Sequence, residues 1–324
     1  MTPEREIMVA LTVDTDSDEY FGNLSDVGLA AKPILGWRGF DEGRKLLVDA
    51  AGEFQDDFGC APRFTWFVRC DGQIAREFGD AAYLLLEYRD WWDARLAKGD
   101  QVAWHPHLYR RHEGSWIQET DPGCLAHDIE SSFAAFGDAG YGSSAARLGE
   151  AYQTNETMRA LSDLGLRADS SGIPGRRRDD GQKSFDWETT PNAPYRPSSS
   201  DYRLPGDPAL PIWEIPMNTV MTRTSYDRVP LRRYVNLAFV PGLLNDGLAN
   251  FMVEHDVLVS ITHPFELMPE FFRDGESDAH PLLAFTPRAV ADNVAAIARA
   301  VELSGRRFRF VTVDDILARL EADE

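Results

Sequence analysis

"EIMVALTVDTD" (Glu6–Asp16) is an apolar, β-branched run that stops abruptly at acidic residues. It reads as a short buried strand whose C-terminal end opens into an acidic loop. Alternation of this kind continues along the chain. Spacing predicts a helix over residues 41–59 that stops at Gly59, a strand over 63–68, a helix over 81–99 and a strand over 101–104. A helix over 124–140, a short strand over 145–149 and a helix over 155–165 with an Asn155 cap follow. After "LRADSS" (166–171), residues 172–210 lose any clear period and are rich in Pro, Arg, Asp and Ser, so they read as a long loop insertion. A strand over 211–217 and a mostly helical stretch over 231–256, broken near Pro241 and Gly242, come next. The pattern closes with a strand over 257–263, a capped helix over 286–305, a strand over 307–313 and a helix over 314–322. Strands alternating with helices imply a parallel sheet, and about seven such units closed on themselves make a barrel. The expectation is one α/β domain spanning residues 1–324.

A chain of 324 residues can bury a large core. Lys and Arg number 33 against 53 Asp and Glu, a net charge of −20. Such acidity argues against a nucleic acid or an anionic membrane as partner. Cys60, Cys70 and Cys124 are odd in number and match no zinc-ribbon or disulfide spacing, so they read as reduced thiols. The first residues show no basic segment followed by an apolar run, and no stretch approaches about 18 apolar residues. A cytoplasmic location without membrane attachment is therefore expected.

Polar residues gather where the predicted strands end. Asp14, Asp16, His105, His107, Arg147, Asp169 and His263 all fall at or just past a strand C-terminus. In a parallel α/β barrel that face carries the active site. His105-Pro106-His107 has a geometric reading. In extended chain, residues two apart point to one side with Cα atoms roughly 6.6 Å apart. Two imidazoles so placed can converge on one ion at about 2.1 Å each. Pro106 stiffens the extended segment and lowers the entropy lost on ordering. A catalytic ion needs one more protein ligand and an open position, and either Asp14 or Asp16 could supply the carboxylate. Asp14 directly ends the apolar run. Asp16, Asp18 and Glu19 can equally be read as solvated loop charges.

Weaker candidates surround these. Asp71 and Gln73, in "RCDGQ", follow the second strand and can be read as substrate-binding or as an Asp-Gly turn. Trp187, Tyr195 and Trp213 can stack on a sugar ring, although most such residues belong to a core or its rim. Arg176, Arg177 and Arg178 suit an anion or a solvated loop, and Asp169 suits a cap as well as a supporting role. His112, His127, His255 and His280 lack partners in the sequence and read as structural or surface residues.

Taken in order, "LTVDTD" (11–16), "HPHLY" (105–109), "RLGEAYQTNETMRALSDLGLRADSS" (147–171), "WEIPM" (213–217) and "ITHPFEL" (261–267) resemble the ordered motifs of the polysaccharide deacetylase superfamily. This is the NodB-homology group that contains carbohydrate esterase family 4. "RFRFVTVDDILARL" (307–320) resembles its closing strand and helix, and the likeness spans roughly residues 6–318. The resemblance implies a distorted (β/α)7 barrel and hydrolysis of amide C–N bonds with one divalent metal. It makes Asp14 the general base, Asp16, His105 and His107 the metal ligands, Arg147 the group that keeps Asp14 ionised, and His263 the general acid. Two departures stand out. Thr15 sits where the family commonly has a second adjacent aspartate, and the two histidines are two residues apart rather than three or four.

The expected reaction is N-deacetylation of a sugar or a sugar-containing small molecule. Polymeric cell-wall substrates fit a chain without a visible secretion signal poorly. A deformylase, a cyclic imide or ureide amidohydrolase, and a non-catalytic carbohydrate-binding relative are the alternatives. Zinc suits a His-His-Asp set first, and Co, Ni, Fe or Mn would also fit. The expected partner is a small-molecule or oligosaccharide substrate.

Overall fold

The computed structural model describes residues 6–17, 35–181, 183–268 and 282–324. Asp18, Glu19 and His280 lie outside the described residues. The chain divides into two compact units, residues 1–62 with 220–311 and residues 63–219 with 312–324.

In chain order the strands are β1 (Glu6–Asp14), β2 (Phe64–Arg69), β3 (Gln101–His105), β4 (Tyr109–His112), β5 (Ser115–Gln118), β6 (Ala145–Ala146) and β7 (Ala168–Asp169). They continue with β8 (Arg177–Asp179), β9 (Ser184–Asp186), β10 (Trp213–Glu214), β11 (Thr219–Thr222), β12 (Leu231–Tyr234), β13 (Val257–Val259) and β14 (Arg307–Phe310). The helices are α1 (Arg38–Ala51), α2 (Gly72–Phe78), α3 (Tyr83–Glu87), α4 (Arg89–Leu96), α5 (Pro122–Asp138), α6 (Asn155–Asp163), α7 (Asn245–Glu254), α8 (Pro287–Leu303) and α9 (Val313–Ala322).

In the first unit β1 runs parallel to β13 and β14, with Met8 opposite Val257 and Ile7 opposite Phe308. A strand with parallel neighbours on both sides, covered by helices, is buried on both faces. That is why Ile7, Val9, Ala10, Leu11 and Val13 form an almost unbroken apolar run, each at most 1% exposed. Helix α8 starts where the Thr286 side chain accepts from the Arg288 N–H, with Pro287 at the first helical position. It buries Val290, Val294, Ile297 and Val301 at helical spacing, each contributing about 1.5–3 kcal/mol by burial.

In the second unit, β2 pairs with β3, β3 with β6, β6 with β7 and β7 with β10, all in parallel. Two antiparallel hairpins, β4–β5 and β8–β9, rise from this unit. Parallel pairing in both units places the chain in the α/β class.

Several local expectations change. The predicted helix over 41–59 ends at Ala51, and the one over 81–99 breaks at Tyr88 into α3 and α4. Helix α2 was not anticipated; the Asp71 carboxylate caps it by accepting from the Gln73 and Ile74 N–H groups. Helix α6 is capped by Thr154 rather than Asn155, in a reciprocal box with Thr157. Residues 231–256 are not mostly helical: β12 comes first and only α7 is helix. The buried stretch between them needs partners for its carbonyls. The Asn293 side-chain amide of α8 provides them, donating to Leu237 O at 3.0 Å and Phe239 O at 2.7 Å. Residues 172–210 hold the β8–β9 hairpin and isolated bridges such as Ser198 with Ala209, so loop contacts replace periodicity there. Among the described residues no helix is long and apolar enough to cross a membrane.

Candidate active site

In the first unit β1 delivers Asp14 at its last position, 3% exposed, and Asp16 just beyond. Its parallel pairing with β13 carries on past the strand as a bridge between Val13 and Thr262. The Asp14 N–H donates to Thr262 O at 3.2 Å. That register brings His263 beside the acidic strand end. Its Nε2 lies 3.5 Å from Asp16 Oδ2 and its Nδ1 3.2 Å from Glu266 Oε1. The other Glu266 oxygen accepts from the His263 N–H at 2.9 Å and from Asn236 Nδ2 at 2.8 Å. Pro264 opens the short turn that places Glu266 three residues after His263. Helix α1 seats this turn closely: a Cβ on Gly43 would lie 2.1 Å from Pro264 O.

Burial alone would lower the His263 pKa. The touching Glu266 carboxylate, then Asp16 and Asp14, outweigh burial and raise it from 6.5 to about 9. His263 is thus held as a cation at neutral pH. Glu266 was not singled out from the sequence, although His-x-x-Glu at a turn start is a legible capping pattern.

In the second unit β3 ends at His105, whose whole strand is buried. His105 Nδ1 lies 2.7 Å from Arg147 O. A carbonyl can only accept, so Nδ1 carries the proton and Nε2 offers its lone pair. That Nε2 is 3.2 Å from His107 Nε2, with the rings nearly perpendicular at 89°. Two ring nitrogens facing each other at this distance, one of them fixed as an acceptor, are what a shared cation requires of imidazole ligands. A Cβ on Gly149 would lie 2.0 Å from His107 Cδ2, so only glycine lets the chain pass against this ring.

Asp71 organises the loop that carries His107. It is 1% exposed. Its Oδ2 accepts from the His107 N–H at 3.0 Å and from Arg69 Nε at 2.6 Å. Burial works against its charge, but the Arg69 guanidinium more than compensates and holds the carboxyl below its usual range. These contacts give Asp71 a scaffolding role in place of substrate contact. Asp71→Ala removes a helix cap and leaves a fully buried guanidinium without its carboxylate. The expected loss is about 3–5 kcal/mol of stability, read by urea unfolding; a change below about 1 kcal/mol would contradict this role.

Arg147 is fully buried. Its Nε donates to Ser170 O at 2.8 Å and its Nη2 to Ser170 Oγ at 3.0 Å. Its guanidinium carbon stands 4.0 Å from the Phe67 ring centre. Asp169 and Glu214, on the neighbouring strands β7 and β10, are both fully buried and face each other in register. Burial, then the adjacent Asp169 charge, pushes Glu214 well above the carboxylate range.

The reading of Trp187 as a sugar platform is corrected. Trp187 is 0% exposed, and its indole N–H donates to Ala151 O at 2.8 Å, so it is a core residue with no face for a ligand. Trp213 is half-buried, and the Arg196 guanidinium covers one face at 4.7 Å. Tyr195 is 5% exposed. Each indole or phenol needed a packing environment that no short window of sequence specifies.

No family model matches the sequence, and no curated protein is similar to it. Solved structures are similar in fold. A proposed polysaccharide deacetylase from Mycobacterium smegmatis superposes with a TM-score of 0.51 at 13% identity, over 100% of this chain and 93% of its own. For a proposed glycoside hydrolase/deacetylase from Parabacteroides distasonis the TM-score is 0.60 at 16% identity, over 99% and 73%. For the Puue allantoinase it is 0.54 at 13% identity, over 99% and 92%. The chain shares the α/β fold of these solved structures.

Proposed function

We propose that this chain is a metal-dependent hydrolase of amide C–N bonds whose reaction is N-deacetylation of a sugar or a sugar-containing small molecule. The observation that carries this reading is the His105–His107 pair, with its Nε2 atoms 3.2 Å apart and the His105 tautomer fixed by Arg147 O. Asp16 is the third donor of the proposed set, and two neutral imidazoles with one carboxylate suit zinc first. A divalent ion held there supplies a Lewis acid that polarises an amide carbonyl and makes water acidic near neutral pH.

The remaining steps belong to the chain's own residues. Asp14 accepts the proton of the attacking water. Arg147, pinned by Ser170, has the role of orienting Asp14 in this reading. His263 gives its proton to the departing amine nitrogen, which leaves poorly without one. Glu266 Oε1, 3.2 Å from Nδ1, stabilises the charged ring and orients it, so the proton given up is the one on Nε2.

His263 acts as acid only while protonated, so activity is retained below its pKa of about 9 and lost as pH rises through it. Glu266→Gln removes the largest raising influence and leaves burial, which lowers the pKa, opposed only by Asp16 and Asp14. The alkaline limb of the kcat/KM profile should then fall by about one pH unit or more. An unmoved limb would remove His263 from the acid role. The same sign governs stability: the raised His263 contributes fully below pH 6.5 and its contribution disappears as pH passes about 9.

A cyclic imide or ureide amidohydrolase is the second reading, favoured by the fold shared with an allantoinase. Zinc-loaded protein assayed for acetate release from small N-acetylated sugars, beside ring opening of cyclic ureides and imides, separates the two. Turnover of the sugars supports the first reading. Turnover of the rings alone replaces it with the second, and turnover of neither overturns both.

A further inference from the structure

The His105 tautomer depends on one peptide group, and that group leads to a buried anion. His105 Nδ1–H donates to Arg147 O at 2.7 Å. The N–H on the other side of the same peptide, Leu148 N–H, donates to Ser171 Oγ at 2.8 Å. Ser171 Oγ–H in turn donates to Asp169 Oδ1 at 2.6 Å. Every donor in this line has an acceptor, and the direction is uniform from imidazole to carboxylate. Ser171 and Asp169 are both 0% exposed, so water does not screen the line.

Asp169 is kept as the acceptor end. Gln153 Nε2 donates to its Oδ2 at 2.9 Å, while Ser171 occupies Oδ1. Burial pushes both carboxyls up, but the hydrogen bonds from Glu214, Ser171 and Gln153 favour charge on Asp169, whereas Glu214 is pushed well above the carboxylate range and is the one that takes up a proton. A negative charge at the end of such a line polarises the peptide and makes Arg147 O a stronger acceptor. A stronger acceptor at Nδ1–H raises electron density at Nε2, the atom that faces His107.

We propose that Asp169 is a positioning residue that acts on His105 through Ser171 and the Arg147–Leu148 peptide, fixing its tautomer and strengthening Nε2 as a cation ligand. This rests on the reading of His105 as a metal ligand. It differs from a direct carboxylate–histidine contact because a backbone amide carries the effect. Gly172 supports the same corner: its N–H donates to Glu214 Oε1 at 3.0 Å, and a Cβ there would lie 2.8 Å from that oxygen.

The test uses Asp169→Asn, which keeps an acceptor for Ser171 but removes the charge, and Ser171→Ala, which breaks the line. Two quantities are measured: the His105 Nδ1–H proton shift in the metal-free full chain, and the zinc affinity. Both variants should move the proton upfield and weaken zinc binding about 10-fold, with Asp169→Asn retaining a cooperative thermal transition. A folded Asp169→Asn with the wild-type proton shift and zinc affinity would overturn the proposal. If Ser171→Ala fails to fold, the near-isosteric Asp169→Asn still decides. The proton shift is read without metal, so it also separates failure of this connection from failure of the metal reading.

Discussion

Replacing His105 and His107 together with alanine should take the zinc content of the purified protein from about one ion per chain to none. Two of the three proposed donors disappear, and a lone carboxylate holds zinc weakly in water. Amide hydrolysis should fall to background, because the polarising ion and the positioned water depend on the same pair. The variant also gives a stability readout. An ion that binds a folded chain and not its unfolded form stabilises the fold, so added zinc should raise the wild-type melting temperature in proportion to the logarithm of its concentration. The double variant should show no such rise. Zinc retained by the variant would place the ion elsewhere. Wild type that takes up no zinc, cobalt, nickel, iron or manganese would end the hydrolase mechanism and favour a fold that binds sugar without cutting it.

Asp14→Asn and Asp16→Asn divide the two carboxylates. Asp14 is 3% exposed at the end of β1, while Asp16, two residues on, reaches His263 Nε2 at 3.5 Å. If Asp14 is the base, Asp14→Asn should lower kcat about 10²–10⁴-fold while leaving zinc bound. If Asp16 is the ligand, Asp16→Asn should lose the zinc itself. The opposite outcome, zinc lost with Asp14→Asn and retained with Asp16→Asn, would exchange the roles. Equal metal loss in both would make the two carboxylates a joint ligand set and leave the base to another group. Elemental analysis beside steady-state kinetics reads all three outcomes, and the His263 pKa should move down in both variants, because Asp16 and Asp14 each help to raise it while Glu266 is unchanged.

Much of this arrangement was legible in short windows of sequence. The β1 run announces a strand with covered faces, because parallel pairing on both sides leaves no position for a charged residue between Glu6 and Asp14. Thr286-Pro287 marks the start of α8 because an orphan N–H group needs a side-chain acceptor within two or three residues. His105 and His107 fall on one side because extended chain repeats every two residues. Where reading failed, the deciding partner lay far along the chain. Residues 231–244 carry an apolar pattern compatible with helix, yet they form β12 and then an irregular stretch in which Asn293, 56 residues beyond Leu237, satisfies the Leu237 and Phe239 carbonyls. Trp187 can be read from sequence as a core residue or a sugar platform, and its burial, with the indole N–H donating to Ala151 O, makes it core.

By itself, then, the sequence determined the α/β class, the strand ends where polar residues collect, and which residues are candidates to hold a metal or move a proton. These depend on backbone period, propensity and side-chain chemistry, all of which act over a few residues. Only the tertiary structure decided the protonation of His263, the tautomer of His105, the scaffolding role of Asp71 and the path from Asp169 to the imidazole. A charge's pKa and a hydrogen bond's direction depend on what is packed within a few ångströms, and the His105–Arg147 contact joins residues 42 apart in sequence.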